Sequence, residues 1–242
     1  MSISRATNVS TALIDAILWI LLLVVLLPLF SAFIVFISGL ASILLDGVHT
    51  IEQLETDLGF TLTTSIISAI LVIPLLKYLL SAKNNERVIC KLALKPIKLI
   101  PLIITLLVVL TYLLCEFFLF HIGFIETPSY ILDIEAQIET ELEIALLFLV
   151  VGVMAPIFEE IIFRGIAFYK LEQVSLNPIT TIVVTSIVFT FVHSQYEQIE
   201  VFILIFVCSC LLGLIRHLSG NLWYCIIGHV VMNITAIAVS LT

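Results

Sequence analysis

The chain has 242 residues, ten Lys or Arg against eighteen Asp or Glu, and a formal net charge of -8. With 62% hydrophobic and 12% charged residues and a mean hydropathy of +1.27, it is far too apolar for the usual soluble balance. Its five cysteines (Cys90, Cys115, Cys208, Cys210, Cys225) have no CxxC spacing, and four lie within or at the ends of apolar stretches, which argues against disulfides and against a zinc cluster.

A bilayer core about 30 Å thick needs about 20 apolar residues per helix, and charge-free stretches near that length recur along the chain. Seven are predicted, at 14–41, 58–80, 97–120, 144–168, 177–195, 201–216 and 221–241. All are expected to be helices, because lipid leaves backbone groups no other partner, and no β-barrel alternation is present. The first runs without a charge from Ala16 to Leu45, too long for a signal-peptide core and without a clear cleavage site, so it is expected to be retained. Pro28 could divide it. The expectation is therefore an all-α, polytopic transmembrane bundle of about seven helices, with six to eight allowed.

Six of the ten basic residues (Lys77, Lys83, Arg87, Lys91, Lys95, Lys98) fall between the second and third stretches, which makes that loop cytoplasmic by the positive-inside rule. The 46–57 and 121–143 loops are then external; both are acidic and neither has a Lys or Arg. Residues 125–143 read as a polar or amphipathic surface helix. Continued alternation puts Arg164, Lys170 and Arg216 at inner ends, the N-terminus inside and the C-terminus outside. No repeat, linker or appended soluble domain is visible, so residues 1–242 are read as one integral-membrane domain.

Function must then lie with the polar groups inside the apolar segments. A charge near mid-bilayer costs roughly 2.5–3.5 kcal/mol on insertion scales, so an intramembrane ionisable group usually has a task and a partner. The fourth segment contains Ala155-Pro156-Ile157-Phe158-Glu159-Glu160-Ile161-Ile162-Phe163-Arg164-Gly165. Glu160 and Arg164 are four apart and face each other on a helix, whereas Glu159 is rotated by about 100° and is left without a local partner. An unpaired carboxylate in an apolar setting is suited to taking and giving a proton, the property of a general base. The blander reading is a buried structural network.

The fifth segment carries Phe189 and His193, and the seventh His229 and Asn233, again four apart on one face. Taken singly, a membrane histidine is more often a helix-to-helix hydrogen bond, and an asparagine packing glue. His49, His121 and His217 sit at loops or helix ends and are assigned no chemistry. There is no HExxH pair, GxSxG elbow or P-loop, and Ser194 points away from His193, so water is the better nucleophile. Glu159 and His193 could deprotonate it, while His229 and Asn233 could stabilise the oxyanion of an attacked peptide carbonyl.

These residues resemble the CPBP family, the CAAX proteases and bacteriocin-processing enzymes also called Abi proteins. The EExxxR motif corresponds to Glu159, Glu160 and Arg164, FxxxH to Phe189 and His193, and HxxxN/B to His229 and Asn233, all in order within residues 155–233. The flanks (Ala-Pro before the glutamates, Phe163, Gly165, and Ser219-Gly220-Asn221-Leu222-Trp223) are similar to bacterial members. The resemblance implies a CPBP-like catalytic core at 144–233 inside the bundle: Glu159 and His193 activating water, His229 and Asn233 holding the oxyanion, Glu160 and Arg164 in support.

The expected protein is thus an intramembrane endopeptidase of a bacterial inner membrane. It would act on a membrane-associated peptide or protein in the bilayer, in bacteriocin maturation, self-immunity or peptide signalling, with no nucleic-acid partner. Two other readings stay open: a non-catalytic immunity or scaffold protein, and a proton-coupled transporter. No cofactor is expected; two glutamates and two histidines could ligate zinc, but they lack compact ligand spacing, so no metal site is assigned. Counting about 1.5 Å per residue from the predicted helix ends puts His193 nearer the outer face than Glu159, a mismatch of depth between two groups expected to act together.

Overall fold

A computed structural model of the chain describes residues 57–81, 92–173 and 176–242, with the stretch 32–42 and the single helical positions 14, 17, 18, 21, 25 and 44 before them. The division at Pro28, most of the 46–57 loop, and Cys90, Lys83, Arg87 and Lys91 of the basic loop lie outside the described residues. All regular elements among the described residues are helical: α1 (Leu58–Ser81), α2 (Leu99–His121), α3 (Ser129–Gln137), α4 (from Glu141 to Gln173), α5 (Pro178–Val192), α6 (Ile199–Ser219) and α7 (Leu222–Ser240). By length and composition, α2, Glu141–Glu172 of α4, α6 and α7 can each cross a membrane; Ala32–Ser42, Leu58–Pro74 and α5 are shorter apolar helices. Together they fall on the seven predicted segments, the first described only in part. The fold is an all-helical membrane bundle.

Its outer surface is that of a protein dissolved in lipid. Along α2 only Thr105 and Val109 are buried, and Leu107, Leu110, Leu114, Phe117 and Phe118 are exposed. In water such a face would be an interaction patch; in hydrocarbon it is simply the solvated side. The predicted surface helix is α3, which starts after Pro128. Thr140 then opens α4 with a capping box: its hydroxyl accepts from Glu143 N at 3.2 Å, and Glu143 Oε2 accepts from Thr140 N at 2.8 Å.

The end of α6 and the starts of α2 and α7 are fastened by one asparagine. Gly220 ends α6 in the left-handed region (φ +58), which a side chain would strain, and its N–H donates to Arg216 O at 3.0 Å. Asn221 follows, 2% exposed. Its Oδ1 accepts from Trp223 N and from Lys95 N, both at 3.2 Å, and its Nδ2 donates to Lys95 O at 3.1 Å. Tyr224 Oη accepts from Lys98 N at 2.7 Å. The segment leading into α2 is thereby stitched to the first turn of α7. Higher up, a Cβ on Gly228 would meet Val109 Cγ2 at 3.2 Å and Thr105 Cγ2 at 3.4 Å, so the missing side chain lets α7 lie close against α2.

The mismatch of depth does not occur. α4 continues to Gln173, beyond the predicted end at 168, and Asn177 restarts the chain by capping α5, its Oδ1 accepting from Ile179 N at 2.9 Å with Pro178 at the first helical position. Glu159 is then 14 residues before Gln173 and His193 15 residues after Pro178. At 1.5 Å per residue the two stand about 21 and about 22.5 Å from the turn between α4 and α5. α5 stops there, at Val192, after 15 residues, whereas α6 runs 21 residues from Ile199 to Ser219, so the 193–198 segment rises from the level of the site away from the turn between α4 and α5.

If Asn221 is the fastener, Asn221→Ala leaves backbone groups of the 95–96 segment without partners. The variant is expected to lose about 1–3 kcal/mol, read as a lower Tm in detergent.

Candidate active site

The site is built on an irregular helix. Within α4, α-helical turns (Glu141–Leu147, Ala155–Glu160, Phe168–Gln173) alternate with π-helical turns (Phe148–Met154, Ile161–Ala167). Pro156 explains part of the first irregularity. In the π turn Ala155 N–H donates to Val150 O, and Pro156, next in line, has no N–H for Val151 O. Asn233 of α7 fills that place, donating from Nδ2 to Val151 O at 2.9 Å. At the second π turn Phe168 N–H bonds Phe163 O and Gly165 O, and Arg164 O accepts from Arg216 Nε at 3.0 Å.

Between the π turns lie the two glutamates. Glu160 and Arg164 are fully buried and paired, with Arg164 Nη1 donating to Glu160 Oε1 at 2.9 Å. Arg164 Nη2 donates to Ser209 Oγ at 2.7 Å and to Ser209 O at 2.9 Å, and the guanidinium lies 4.7 Å over the Phe189 ring. Glu160 Oε1 is shared with His229, whose Nδ1 is 2.8 Å away. The predicted i, i+4 pair is therefore present, and it also reaches α6 through Ser209 and α7 through His229.

Hydrogen-bond logic sets the histidine tautomers. A carbonyl only accepts, so His193 Nδ1, 2.8 Å from Phe189 O, carries a proton. His229 Nδ1 likewise donates to the Glu160 carboxylate. This leaves the two Nε2 atoms facing Glu159, His229 Nε2 at 3.6 Å from Oε2 and His193 Nε2 at 4.0 Å from Oε1. Both gaps are too long for a direct hydrogen bond and suit a bridging water. The Glu159 side chain is 28% exposed and that of His229 6%, so Glu159 faces an opening while its neighbours form the wall. Phe189 is part of that wall, with its ring 5.1 Å from Phe163, 4.5 Å from His193 and 5.9 Å from His229, centroid to centroid.

Three elements, α4, α5 with its C-cap, and α7, thus bring Glu159, Glu160, Arg164, Phe189, His193 and His229 together, with Asn233 one turn above His229 and bonded to α4. Among the described residues, no group of three or more His, Cys, Asp or Glu is arranged to hold a metal ion. Cys115, Cys208, Cys210 and Cys225 are free.

Two residues about the site were not legible as such. Ser209 and Arg216 carry no motif, and only packing of α6 on α4 reveals them.

Removing Arg164 strands a buried carboxylate, which is more damaging than the loss of one hydrogen bond. Arg164→Leu is expected to cost about 3–5 kcal/mol and Ser209→Ala only about 1 kcal/mol; thermal unfolding in detergent should rank them in that order.

Residues 141–235 match the family model described as Type II CAAX prenyl endopeptidase Rce1-like. No curated protein and no solved structure matches the chain. The matched region runs from the first turn of α4 to two residues beyond Asn233, and so holds every motif residue of the site and the helices that carry them. Through this region the chain is similar to the CAAX-type protease family, a likeness that carries its assignment as a peptidase, and its long apolar helices make it an integral membrane protein.

Proposed function

We propose that the peptidase works by water held between Glu159 and His193 and attacks a peptide bond of a membrane-associated peptide or protein. The observation that carries this reading is the pair of Nε2 atoms converging on Glu159 at 3.6 and 4.0 Å, the only partly open carboxylate of the cluster. Water placed there donates one O–H to the Glu159 carboxylate and the other to His193 Nε2, the lone-pair nitrogen of its tautomer. As its oxygen bonds to the scissile carbonyl carbon, its proton passes to Glu159, and the carbonyl π electrons move onto oxygen.

The negative oxygen needs donors. His229 is suited to the task when protonated: Glu160 holds its Nδ1–H at 2.8 Å and compensates an imidazolium, leaving Nε2–H to donate. Asn233 uses one amide N–H on Val151 O and has a second for the oxyanion. Collapse of the tetrahedral species breaks the C–N bond, and the proton held on Glu159 is delivered to the leaving amine. Atoms and charge balance without a metal or a covalent acyl-enzyme. Glu160 and Arg164 act through His229 and are positioning residues.

The substrate belongs to the lipid phase or its surface, since the cluster sits about 21 Å from the turn between α4 and α5 on the spacing of the helices. We assign the protein to a bacterial inner membrane, on the family-like flanks of its motifs, with maturation of a bacteriocin or signalling peptide, or self-immunity, as its role.

Cleavage of a peptide panel in reconstituted liposomes tests the mechanism. Glu159→Gln, folded by its Tm, is expected to lose at least about 100-fold in kcat; equal cutting by both proteins removes Glu159 as the base, and unimpaired cellular function of a non-cutting Glu159→Gln supports a non-catalytic role instead. Activity should also survive prolonged exposure to a metal chelator. Loss on chelation with recovery on added zinc would replace the metal-free reading.

A further inference from the structure

Of the two histidines that face Glu159, His229 is fixed through Glu160, but His193 stands where its helix has already ended. It is the C-cap of α5, with φ -90 and ψ 36, and its N–H donates to Thr190 O at 3.1 Å. On the α5 side Phe189 holds it, through the Nδ1–H bond to Phe189 O at 2.8 Å and the ring contact at 4.5 Å. On the other side the chain turns back at once. Tyr196 N–H donates to His193 O at 3.2 Å and closes a turn over residues 193–196, so the place of Tyr196 and that of the His193 peptide are tied.

Tyr196 itself is held by a different part of the bundle. Ser194, Gln195 and Glu197 are exposed, whereas Tyr196 is half-buried and packs edge-on against Tyr130 of α3, with ring centroids 5.7 Å apart and planes at 82°. An edge-to-face pair at this separation is favourable beyond the area it buries. α3 has nine residues and no side-chain N-cap, too short to hold itself, so its contacts decide its place. They lie along one stripe. Tyr130, Ile134 and Ile138 are spaced four apart, and the two isoleucines pack on the cluster of Leu58, Leu62, Leu147 and Ile237. That cluster joins the opening turns of α1 and α4 to the last turns of α7.

The contacts close a circuit. α4 carries Glu159 and α7 carries His229; the ends of the same two helices seat α3, and α3 through Tyr130 seats the turn that bears His193. The 4.0 Å gap from His193 Nε2 to Glu159 Oε1, which a water would bridge, is thereby set from two directions, by α5 through Phe189 and by α3 through Tyr196.

We propose that Tyr130 and Tyr196 form an aromatic latch that positions His193 against Glu159, so that α3 bears on the rate of the reaction. The assignment rests on the peptidase reading of the Glu159 site. Both tyrosines are positioning residues: they act through His193 and take no part in bond making or breaking. The latch is a contact between rings, so phenylalanine preserves it and leucine does not.

The test uses the full chain in phosphatidylcholine liposomes with a panel of fluorogenic peptides, read on the one that the wild type cuts fastest. Tyr130→Leu and Tyr196→Leu, each folded by its Tm, are expected to lose about tenfold in kcat with KM within about twofold, since misplacing a reacting group costs rate rather than binding. Tyr130→Phe and Tyr196→Phe should keep the rate. The double leucine variant should fall no further than either single one, because both remove the same contact. Unchanged kcat in the leucine variants, a loss confined to KM, phenylalanine variants as slow as the leucine ones, or losses that multiply in the double variant would each overturn the latch. If Tyr196→Leu does not fold, Tyr130→Leu carries the test alone, its native side chain being 39% exposed.

Hydrogen exchange separates the latch from the peptidase reading. Tyr130→Leu leaves Tyr196 intact, and the Tyr196 amide bonded to His193 O is expected to exchange about tenfold faster in that variant, read by mass spectrometry on peptides spanning 193–198. Tyr130→Phe should exchange like the wild type. Equal exchange in Tyr130→Leu and the wild type overturns the latch. Faster exchange in Tyr130→Leu, where the wild type cuts none of the peptides, would leave the latch standing and count against the peptidase reading.

Discussion

The geometry of the site depends on one buried oxygen. Glu160 Oε1 accepts from Arg164 on its own helix and from His229 on α7, and Arg164 in turn grips Ser209 on α6. Three helices meet at a charge that lipid could not tolerate alone, because removing one partner of a buried ion pair strands the other at a cost of several kcal/mol, even though Glu160 Oε2 and Arg164 Nε have no hydrogen-bond partner among the described residues. The same oxygen fixes the histidine: with Nδ1–H committed to Glu160, His229 has only Nε2 to turn toward Glu159. Two adjacent glutamates therefore have separate environments, one fully enclosed and bonded and the other partly open.

The irregular turns of α4 serve the same end. Alternating α and π turns shift the hydrogen-bond register, and at each π turn a backbone carbonyl accepts from a side chain of a neighbouring helix, Val151 O from Asn233 and Arg164 O from Arg216. In hydrocarbon a freed backbone group has no water to fall back on, so a departure from the α register is tolerated only where a side chain answers it. Asn233 and Arg216 thus hold α7 and α6 against the segment that bears the glutamates. Phe189 adds a ring that touches Phe163, Arg164 and both histidines, a surface against which the polar groups keep their orientation.

Charge is distributed along the membrane normal with little mixing. Basic residues gather in the segment before α2 and near the ends of α4 and α6, and acidic ones occupy the segments around α3 and after His193. The short α5 ends at the depth of Glu159, and the chain that follows it rises past the site. That single early stop brings His193 level with the glutamate and lets Tyr196 reach the Tyr130 ring of α3.

Much of this was legible in the residues. Long charge-free stretches require helices in lipid, whatever the packing; the four-residue spacing requires that Glu160 and Arg164 share a face, and that His229 and Asn233 do; three motifs in order pointed to the family that the 141–235 match bears out. All of these follow from composition and helical period, which are local. The relations between helices are not local. Nothing in a spacing rule says that α4 runs on to Gln173, that His229 is shared between two glutamates, that Ser209 completes Arg164, or that Asn233 answers Val151. Those depend on where separate helices stop and which faces they turn to one another, and in a chain whose helices are apolar on nearly every side, only the packing of the whole bundle decides that.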